Sequence, residues 1–423
     1  MASIVSRSAL GALNSHRFLL RSAFAATTIF AWVFALQYLY ALFGNLAEAF
    51  VRVIVLYELA QVITTLLTPY SAMRLVLGVK RRMIAGVLSA VLALLFLAVA
   101  LLGFMQPMVG MVAFAVFLGV YRALYWTPYM VEKERSDLNA HVPQEIFIAV
   151  MPAIAGFALL YGTFGAAILL CAGASILVAS LAPLTRVPEI YEGYAWGYGQ
   201  TFGELFEPKY NPLVEAAFLE GLQGAALLLL WPMAVFVLVG FSYQFLGLVL
   251  AATLFLSILV RPHAQRVLQR RVLLHATLAA SAWAFRLVVA SPLGVVLVDT
   301  YASADGRKSS DPLTLDQAAD NGTYVDEYTV LKEIAQCFGR IAMCVIAAVC
   351  ISILSLPAGL AVAFCGGLGD CATSDTDNAA DRQREAGAAT LADSVKTRRD
   401  TSVVTETQRR ASGERLQRRP TAG

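Results

Sequence analysis

The chain has 423 residues, 58% of them hydrophobic and 14% charged, with a mean hydropathy of +0.67 and a formal net charge of +3. Soluble domains are roughly 45–50% apolar and about a quarter charged, so this chain has too little charge to cover a water-facing surface. Its small net charge argues against a nucleic-acid partner. It reads as an all-α polytopic membrane protein whose outer shell is the lipid bilayer.

A bilayer core takes about 20 apolar residues of helix. The first apolar run, 18–42, follows Arg7, His16 and Arg17. It is too long for the core of a secretory signal and lacks a small-residue cleavage site, so it is expected to remain as the first span. Further spans are predicted at 48–70, 83–105, 108–130, 144–163, 165–184, 213–238, 243–261, 272–289, 291–305 and 337–355. Gln106-Pro107, Gly162–Gly165 and Gly240–Ser242 mark turns between them. A last apolar stretch, 357–369, is too short for a full crossing; it forms a short twelfth span or turns back. The expectation is thus 11–12 transmembrane helices. Residues 370–423 are polar and poor in large apolar side chains, and are expected to be disordered.

The cations check the count. They gather at the N-terminus (Arg7, Arg17, Arg21) and in the loops after spans two (Arg74, Lys80, Arg81, Arg82), four (Lys133, Arg135), six (Arg186, Lys209), eight (Arg261, Arg266, Arg270, Arg271) and ten (Arg307, Lys308, Lys332). The intervening loops carry almost none, Arg52 excepted. Cytoplasmic loops collect Lys and Arg, so the N-terminus is expected to be cytoplasmic. Residues 185–212 interleave Tyr191, Tyr194, Trp196, Tyr198, Phe202 and Phe206 with Glu and Gly. They form either a linker with an interfacial helix or a loop whose aromatics pack on the protein. The domain reading is a six-helix bundle at 1–184, a cytoplasmic linker at 185–212, a second bundle at 213–369 and a tail at 370–423. A faint repeat supports two related halves, because spans five and eleven carry Glu145-Ile146 and Glu333-Ile334 near their starts.

Charge inside a span is expensive and usually faces a protein interior or a water cavity. Glu58, Arg122, Glu220, Arg286, Asp299 and Arg340 fall in or at the ends of predicted spans. Arg122, Tyr125, Trp126 and Tyr129 follow i, i+3, i+4, i+7 spacing and are expected to share a face. That arrangement suits an anionic or aromatic ligand; an interfacial aromatic belt with a structural salt bridge is the alternative. The three carboxylates are candidate proton carriers or static partners of the three arginines. Pro152, Pro232 and Pro292 are expected to interrupt helices. The six cysteines form no C-x-x-C pair and read as small apolar fillers, so no metal site or cofactor is expected. GxSxG, HExxH and Walker A motifs are absent, and the four histidines are scattered.

Six plus about six spans around a long central loop, over 18–369, resemble the major facilitator superfamily. Ser71–Arg81 (SAMRLVLGVKR) falls where that family carries GxLaDrxGrr; Gly78 and Lys80-Arg81 match, and Leu75 stands at the usual Asp position. Arg122 lies where the family often has a fourth-span Arg. Tyr121–Tyr129 and Glu327–Arg340 (EYTVLKEIAQCFGR) resemble poorly characterised bacterial members. The resemblance implies two six-helix bundles with pseudo-twofold symmetry that rock about a cavity lined by spans one, four, seven and ten. It would place Gln37, Tyr38, Arg122, Tyr125, Glu220 and Asp299 near the path and Gly78, Lys80 and Arg81 in a gating loop. It also implies a bacterial inner membrane.

The leading functional reading is a secondary active transporter of a small organic solute, working by alternating access, with protons as the candidate coupling ion and a monomer as the favoured state. One alternative is a transporter-like scaffold or receptor, motivated by the incomplete gating signature. The other is a membrane-embedded enzyme acting on a lipid-linked substrate, for which the acidic loop Glu132, Glu134 and Asp137 is the best candidate.

Overall fold

The computed structural model describes residues 7–134, 142–191, 193–268, 272–304 and 325–366, and every regular element among them is helical. Six long helices come first: α1 (Arg7–Phe43), α2 (Leu46–Met73), α3 (Val79–Leu101), α4 (Pro107–Glu134), α5 (Val142–Ala158) and α6 (Gly162–Leu184). A short α7 (Tyr198–Glu204) lies in the central linker. Then come α8 (Asn211–Ala225), a π-helical turn (Ala226–Leu230) and α9 (Trp231–Leu238), which together make one leg. The chain continues through α10 (Tyr243–Leu268), α11 (Val272–Val288), α12 (Pro292–Ala304), α13 (Val325–Ile353) and α14 (Leu356–Gly366). Counting α8–α9 once and setting α7 aside, the described chain has twelve legs.

Eight stretches are long and apolar enough to cross a membrane, and one of them, Val142–Leu184, holds both α5 and α6. α11, α12 and α14 are shorter, at 17, 13 and 11 residues. At 1.5 Å per residue α14 spans only about 16 Å, so the twelfth leg is a short one that doubles back from α13. The tail 370–423 and the acidic-loop residue Asp137 lie outside the described residues, as do the side chains of Glu132 and Glu134.

Local chemistry sets the turns. Gly44, at φ 70°, ends α1 and its N–H donates to the Tyr40 carbonyl at 2.9 Å. The next residue, Asn45, caps α2 by accepting from the Ala47 and Glu48 N–H groups at 3.0 and 3.4 Å. Pro232 has no N–H, so the Leu228 carbonyl loses its usual partner four residues on; the widened turn lies there. Pro152 sits inside α5, whereas Pro292 starts α12 and does not interrupt it. The sequence also placed the start of span eleven too late. α13 begins at Val325, because Lys332 and Glu333 lower the local hydropathy without breaking the helix.

The packing has an internal twofold logic. In the first half α1 packs on α5 and α6, α2 on α4, and α3 on α4 and α6. In the second, α8 packs on α13, α10 on α12, and α11 on α12 and α14. These are the same pairings once α1–α6 are matched to α8/α9 and α10–α14. Between the halves α2 packs on α13 and α5 on α10, and the matching exchanges these two seams.

α8 and α13 approach closely through Gly221 and Gly339. A Cβ on Gly221 would enter the Gln336 carbonyl, and one on Gly339 the Phe218 carbonyl. Gly339→Leu must push this pair apart, and overpacking of this kind costs about 1–3 kcal/mol. The purified variant is expected to melt several degrees below the parent in a thermal-shift assay. Gly203→Ala, whose Cβ meets nothing within 4 Å, is expected to leave the melting temperature unchanged.

Candidate functional site

α13 sets Glu333, Gln336, Cys337 and Arg340 at i, i+3, i+4 and i+7, so they form one polar stripe on an otherwise apolar helix. The stripe faces α2, α4 and α8 and is buried. Arg122 of α4 is 7% exposed and Glu333 is 6% exposed. Arg122 donates to Glu333 Oε1 from Nε at 3.2 Å and from Nη2 at 2.9 Å. Arg340 Nη1 lies 3.8 Å from the same oxygen, and also donates to Gln61 Oε1 of α2 at 3.4 Å. Gln336 Nε2 donates to Glu220 Oε2 of α8 at 2.8 Å, and Lys332 Nζ lies 3.5 Å from that oxygen. The network therefore joins α2 and α4 of the first half to α8 and α13 of the second.

A small apolar layer lies on the linker side of this network. Leu205, Ala217, Val330, Leu331, Ile334 and Ala335 are buried there with Ala72 of α2, and Tyr194, Trp196, Phe202 and Tyr210 pack against them. The Tyr198 hydroxyl donates to the Leu66 carbonyl of α2 at 3.0 Å. Thus Tyr194, Trp196 and Phe202 pack on the protein, while Tyr191, Tyr198 and Phe206 stay exposed.

On the other side of the network is a central cavity of about 70 Å³. Trp32, Tyr57, Tyr121 and Trp126 line it with Gln61 and Arg122. Its walls come from α1, α2, α4 and the π turn through Leu228. Asp299 of α12, expected from the family likeness to be near the path, is not in this lining. The expected common face of Arg122 with all three aromatics is also split. Arg122 and Trp126 reach the cavity, whereas Tyr125 and Tyr129 do not line it; they stack behind Tyr121, which does, at centroid spacings of 5.4 Å along the adjacent ridge. Steps of four follow one ridge of a helix, and Tyr125 is drawn inward by His16 of α1. The Ser180 carbonyl can only accept, so His16 Nδ1 donates to it at 2.8 Å and Nε2 accepts from the Tyr125 hydroxyl at 2.9 Å.

The remaining predicted residues lie elsewhere. Gln37 and Tyr38 line a larger cleft of about 480 Å³ at the opposite end from the linker, beside Thr163, Phe241 and Gln244. Glu58 lies beside Cys344 of α13, and its Oε1 has no hydrogen-bond partner among the described residues. Arg286 and Asp299 pair with each other inside the second half. Arg286 donates to Asp299 Oδ1 from Nε at 3.2 Å and Nη2 at 2.9 Å, and Trp231 Nε1 donates to Oδ2 at 2.9 Å. The guanidinium also lies 4.7 Å from the centroid of the Trp283 ring. Gly78 precedes α3, and Lys80 and Arg81, expected in a gating loop, lie in its first turn, which is bound by the chain leaving α6. Glu189 Oε1 accepts from the Lys80 and Arg81 N–H groups at 2.9 and 3.4 Å, Lys80 Nζ donates to the Val187 carbonyl at 2.9 Å, and a Cβ on Gly78 would enter the Glu189 carboxylate. That carboxylate sits at the start of α3, where the helix dipole favours an anion. Leu75, at the place of the missing Asp, is buried in the apolar core.

Sequence reasoning missed Glu333, Gln61, Gln336 and Glu189 as site residues. The signal for Glu333 was present in the paired Glu-Ile dipeptides. Glu145, the other member, also makes an interhelical ion pair, with Arg21 of α1, in which Nη2 donates to Oε2 at 2.8 Å.

No protein-family model matches the sequence, and no curated protein matches it. The likeness is structural. The fold is similar to that of a POT family transporter crystallised with 5-aminolevulinic acid (TM-score 0.59, 10% identity, 86% of this chain and 94% of that one). It is also similar to the human organic anion transporter MFSD10 (0.54, 14%, 87% and 99%) and to the E. coli fucose:proton symporter FucP (0.50, 13%, 86% and 97%). The class defined is a polytopic α-helical membrane protein. Its fold is that of the major facilitator superfamily transporters.

The Arg286–Asp299 pair tests how these charges are held. Asp299→Ala leaves a buried guanidinium without this carboxylate, a loss of about 3–5 kcal/mol for buried pairs. The variant is expected to melt far below the parent in detergent, and the double variant Arg286→Met/Asp299→Leu is expected to recover most of the loss.

Proposed function

We propose that this chain is a secondary active transporter that moves a small organic solute by alternating access. The observation that carries the reading is the Arg122–Glu333 pair, buried at 2.9 Å between α4 of one half and α13 of the other, directly under an aromatic-lined cavity. A purely static core has no need for a pair of charges across its main seam, because apolar packing of the same volume is as stable or more so. A gate has that need, since it must hold two bodies together and then release them. The linker-side aromatic layer is the second seal. The described conformation is thus closed at the linker end, with the 480 Å³ cleft at the other.

In this reading the two halves are 1–184 and 213–369, with 185–212 as the strap between them. Protons are the coupling ion, and Glu333, the carboxylate that holds Arg122 across the seam, is the group through which the coupling would act. FucP, whose fold this chain shares, is a proton symporter, which is in keeping with that choice. The basic loops, and with them the N-terminus and the linker, face the cytoplasm across a bacterial inner membrane. The chain works as a monomer with solute, protons and lipid as its partners.

Two experiments test this. In proteoliposomes with an imposed proton gradient, a broad panel of labelled organic solutes should reveal one whose uptake depends on the protein. Glu333→Gln should cut gradient-driven flux by roughly 100-fold while leaving the protein monodisperse, as expected for loss of a buried charged partner. Absence of flux for every solute overturns the reading and leaves a binding role for the same fold. Orientation is read separately by thiol labelling of whole cells, after Cys171, Cys350, Cys365 and Cys371 are replaced by Ser, leaving only the buried Cys337 and Cys344. Phe104→Cys, at an 82% exposed turn, should label from outside. Phe206→Cys, 80% exposed in the linker, should label only after permeabilisation.

A further inference from the structure

We propose that the central cavity receives a small, flat organic monocarboxylate, and that its carboxylate takes the place of Glu333 on Arg122. The inference rests on the transporter reading above and names the solute class for the same site.

The walls carry the first part of the argument. Phe24, Trp32, Tyr57, Tyr121 and Trp126 present aromatic surface, with Trp32 set edge-on to Tyr57 at 5.6 Å. Such walls favour a flat apolar body, stacked or edge-on. Among the described residues lining the cavity, Arg122 is the charged one. A cationic solute would be repelled by it, and a polyhydroxylated solute would meet more ring carbon than hydrogen-bonding groups. A planar guanidinium fork fits a planar carboxylate better than any other common anion of this size.

The second part is the present occupant of that fork. Arg122 Nε and Nη2 both point at Glu333 Oε1, at 3.2 and 2.9 Å. A side-chain carboxylate therefore already occupies the position a solute carboxylate would take. Exchange does not strand Glu333, whose Oε1 lies 3.8 Å from Arg340 Nη1 on its own helix. Gln61 lines the cavity and accepts from Arg340, so it stands at the hand-over between the two. Binding of the anion thus has a direct mechanical result: the charge holding α4 to α13 is satisfied from within the cavity, and the seam loosens. The cavity now has a volume of about 70 Å³. That is room for about two water molecules at roughly 30 Å³ each, so the solute enters in a conformation in which α1 and the π turn stand farther apart.

The test uses the purified full chain in lipid nanodiscs, labelled benzoate as the probe, and unlabelled benzamide and benzylamine as neutral and cationic isosteres. Benzoate is expected to bind, and each isostere to compete at least about 30-fold more weakly, because the charged partner of a buried arginine is missing. Arg122→Gln is expected to bring benzoate down to the benzamide level. Glu333→Gln is expected to tighten benzoate binding by about tenfold, since the competing carboxylate is gone. This last sign is opposite to that of general damage. If the variants fail to fold, the three-ligand series on the parent protein still decides. Equal binding of benzoate and benzamide, no benzoate binding, or weaker benzoate binding by Glu333→Gln each overturns the inference. Uptake of a neutral or cationic solute without benzoate binding sinks the inference and leaves the transporter reading intact. Benzoate binding without flux of any solute sinks the transporter reading and leaves the anion site.

Discussion

A guanidinium and a carboxylate buried inside a helical membrane bundle are tolerable only near each other. Each charge carries a desolvation cost of several kcal/mol in a protein interior, and the bilayer supplies no water to offset it. Arg122 and Glu333 meet this condition across the seam between two halves, one on α4 and the other on α13. That constraint organises what lies around them. α2 must run beside α13 to bring Gln61 to Arg340. α8 must approach α13 at Gly221 and Gly339 so that Glu220 reaches Gln336 and Lys332. The linker then covers the polar stripe on the side away from the cavity.

Each of the matched halves joins its first leg to its fifth by an ion pair, with the charges reversed. In the first half α1 offers Arg21 and α5 offers Glu145. In the second, α8, the counterpart of α1, offers Glu220, and α13, the counterpart of α5, offers Lys332. Each pair ties the first leg of its half to the fifth. The two Glu-Ile carboxylates differ in partner: Glu333 reaches across the seam to Arg122, while Glu145 stays within its own half on Arg21. A repeat that was only a dipeptide match in the sequence is thereby a statement about mechanics: one copy secures a bundle and the other joins the two bundles.

The fold was legible in the sequence because hydropathy and the cation alternation report on lipid and on topology, and both act over long windows. The turns at Gly162 and Gly240 were legible for local reasons of backbone geometry. The site was only half legible. Arg122, Glu220 and Arg340 stood out because charge in an apolar run is conspicuous, but Glu333 and Lys332 lie where a helix continues past the run. A hydropathy window cannot distinguish a helix end from a polar stripe on one face. Tyr125 was misplaced because i+3 and i+4 neighbours share a face only broadly, and His16, more than a hundred residues away, decides which way it turns. Leu75 showed that a carboxylate was missing from the loop, but nothing in that motif pointed to Glu189.

The polar contacts divide into those internal to one half and those that cross the seam. Within the first half, His16 locks α1 to α4 and α6 by two hydrogen bonds, Arg21 locks α1 to α5, and Glu189 pins the α2–α3 loop. Within the second, Asp299 gathers α9, α11 and α12 through Trp231 and Arg286. These contacts are internal to one half and would survive a rocking motion unchanged. The Arg122–Glu333 contact would not, nor would the bond from Arg340 to Gln61, since each has one end in either half. The structure braces each half internally and joins the two across this seam by an ion pair. Apolar contact between α5 and α10 forms the other seam, and it can shear without exposing a charge. In the proposed alternating-access cycle, opening would therefore be controlled from the α2–α13 side, where the charges are.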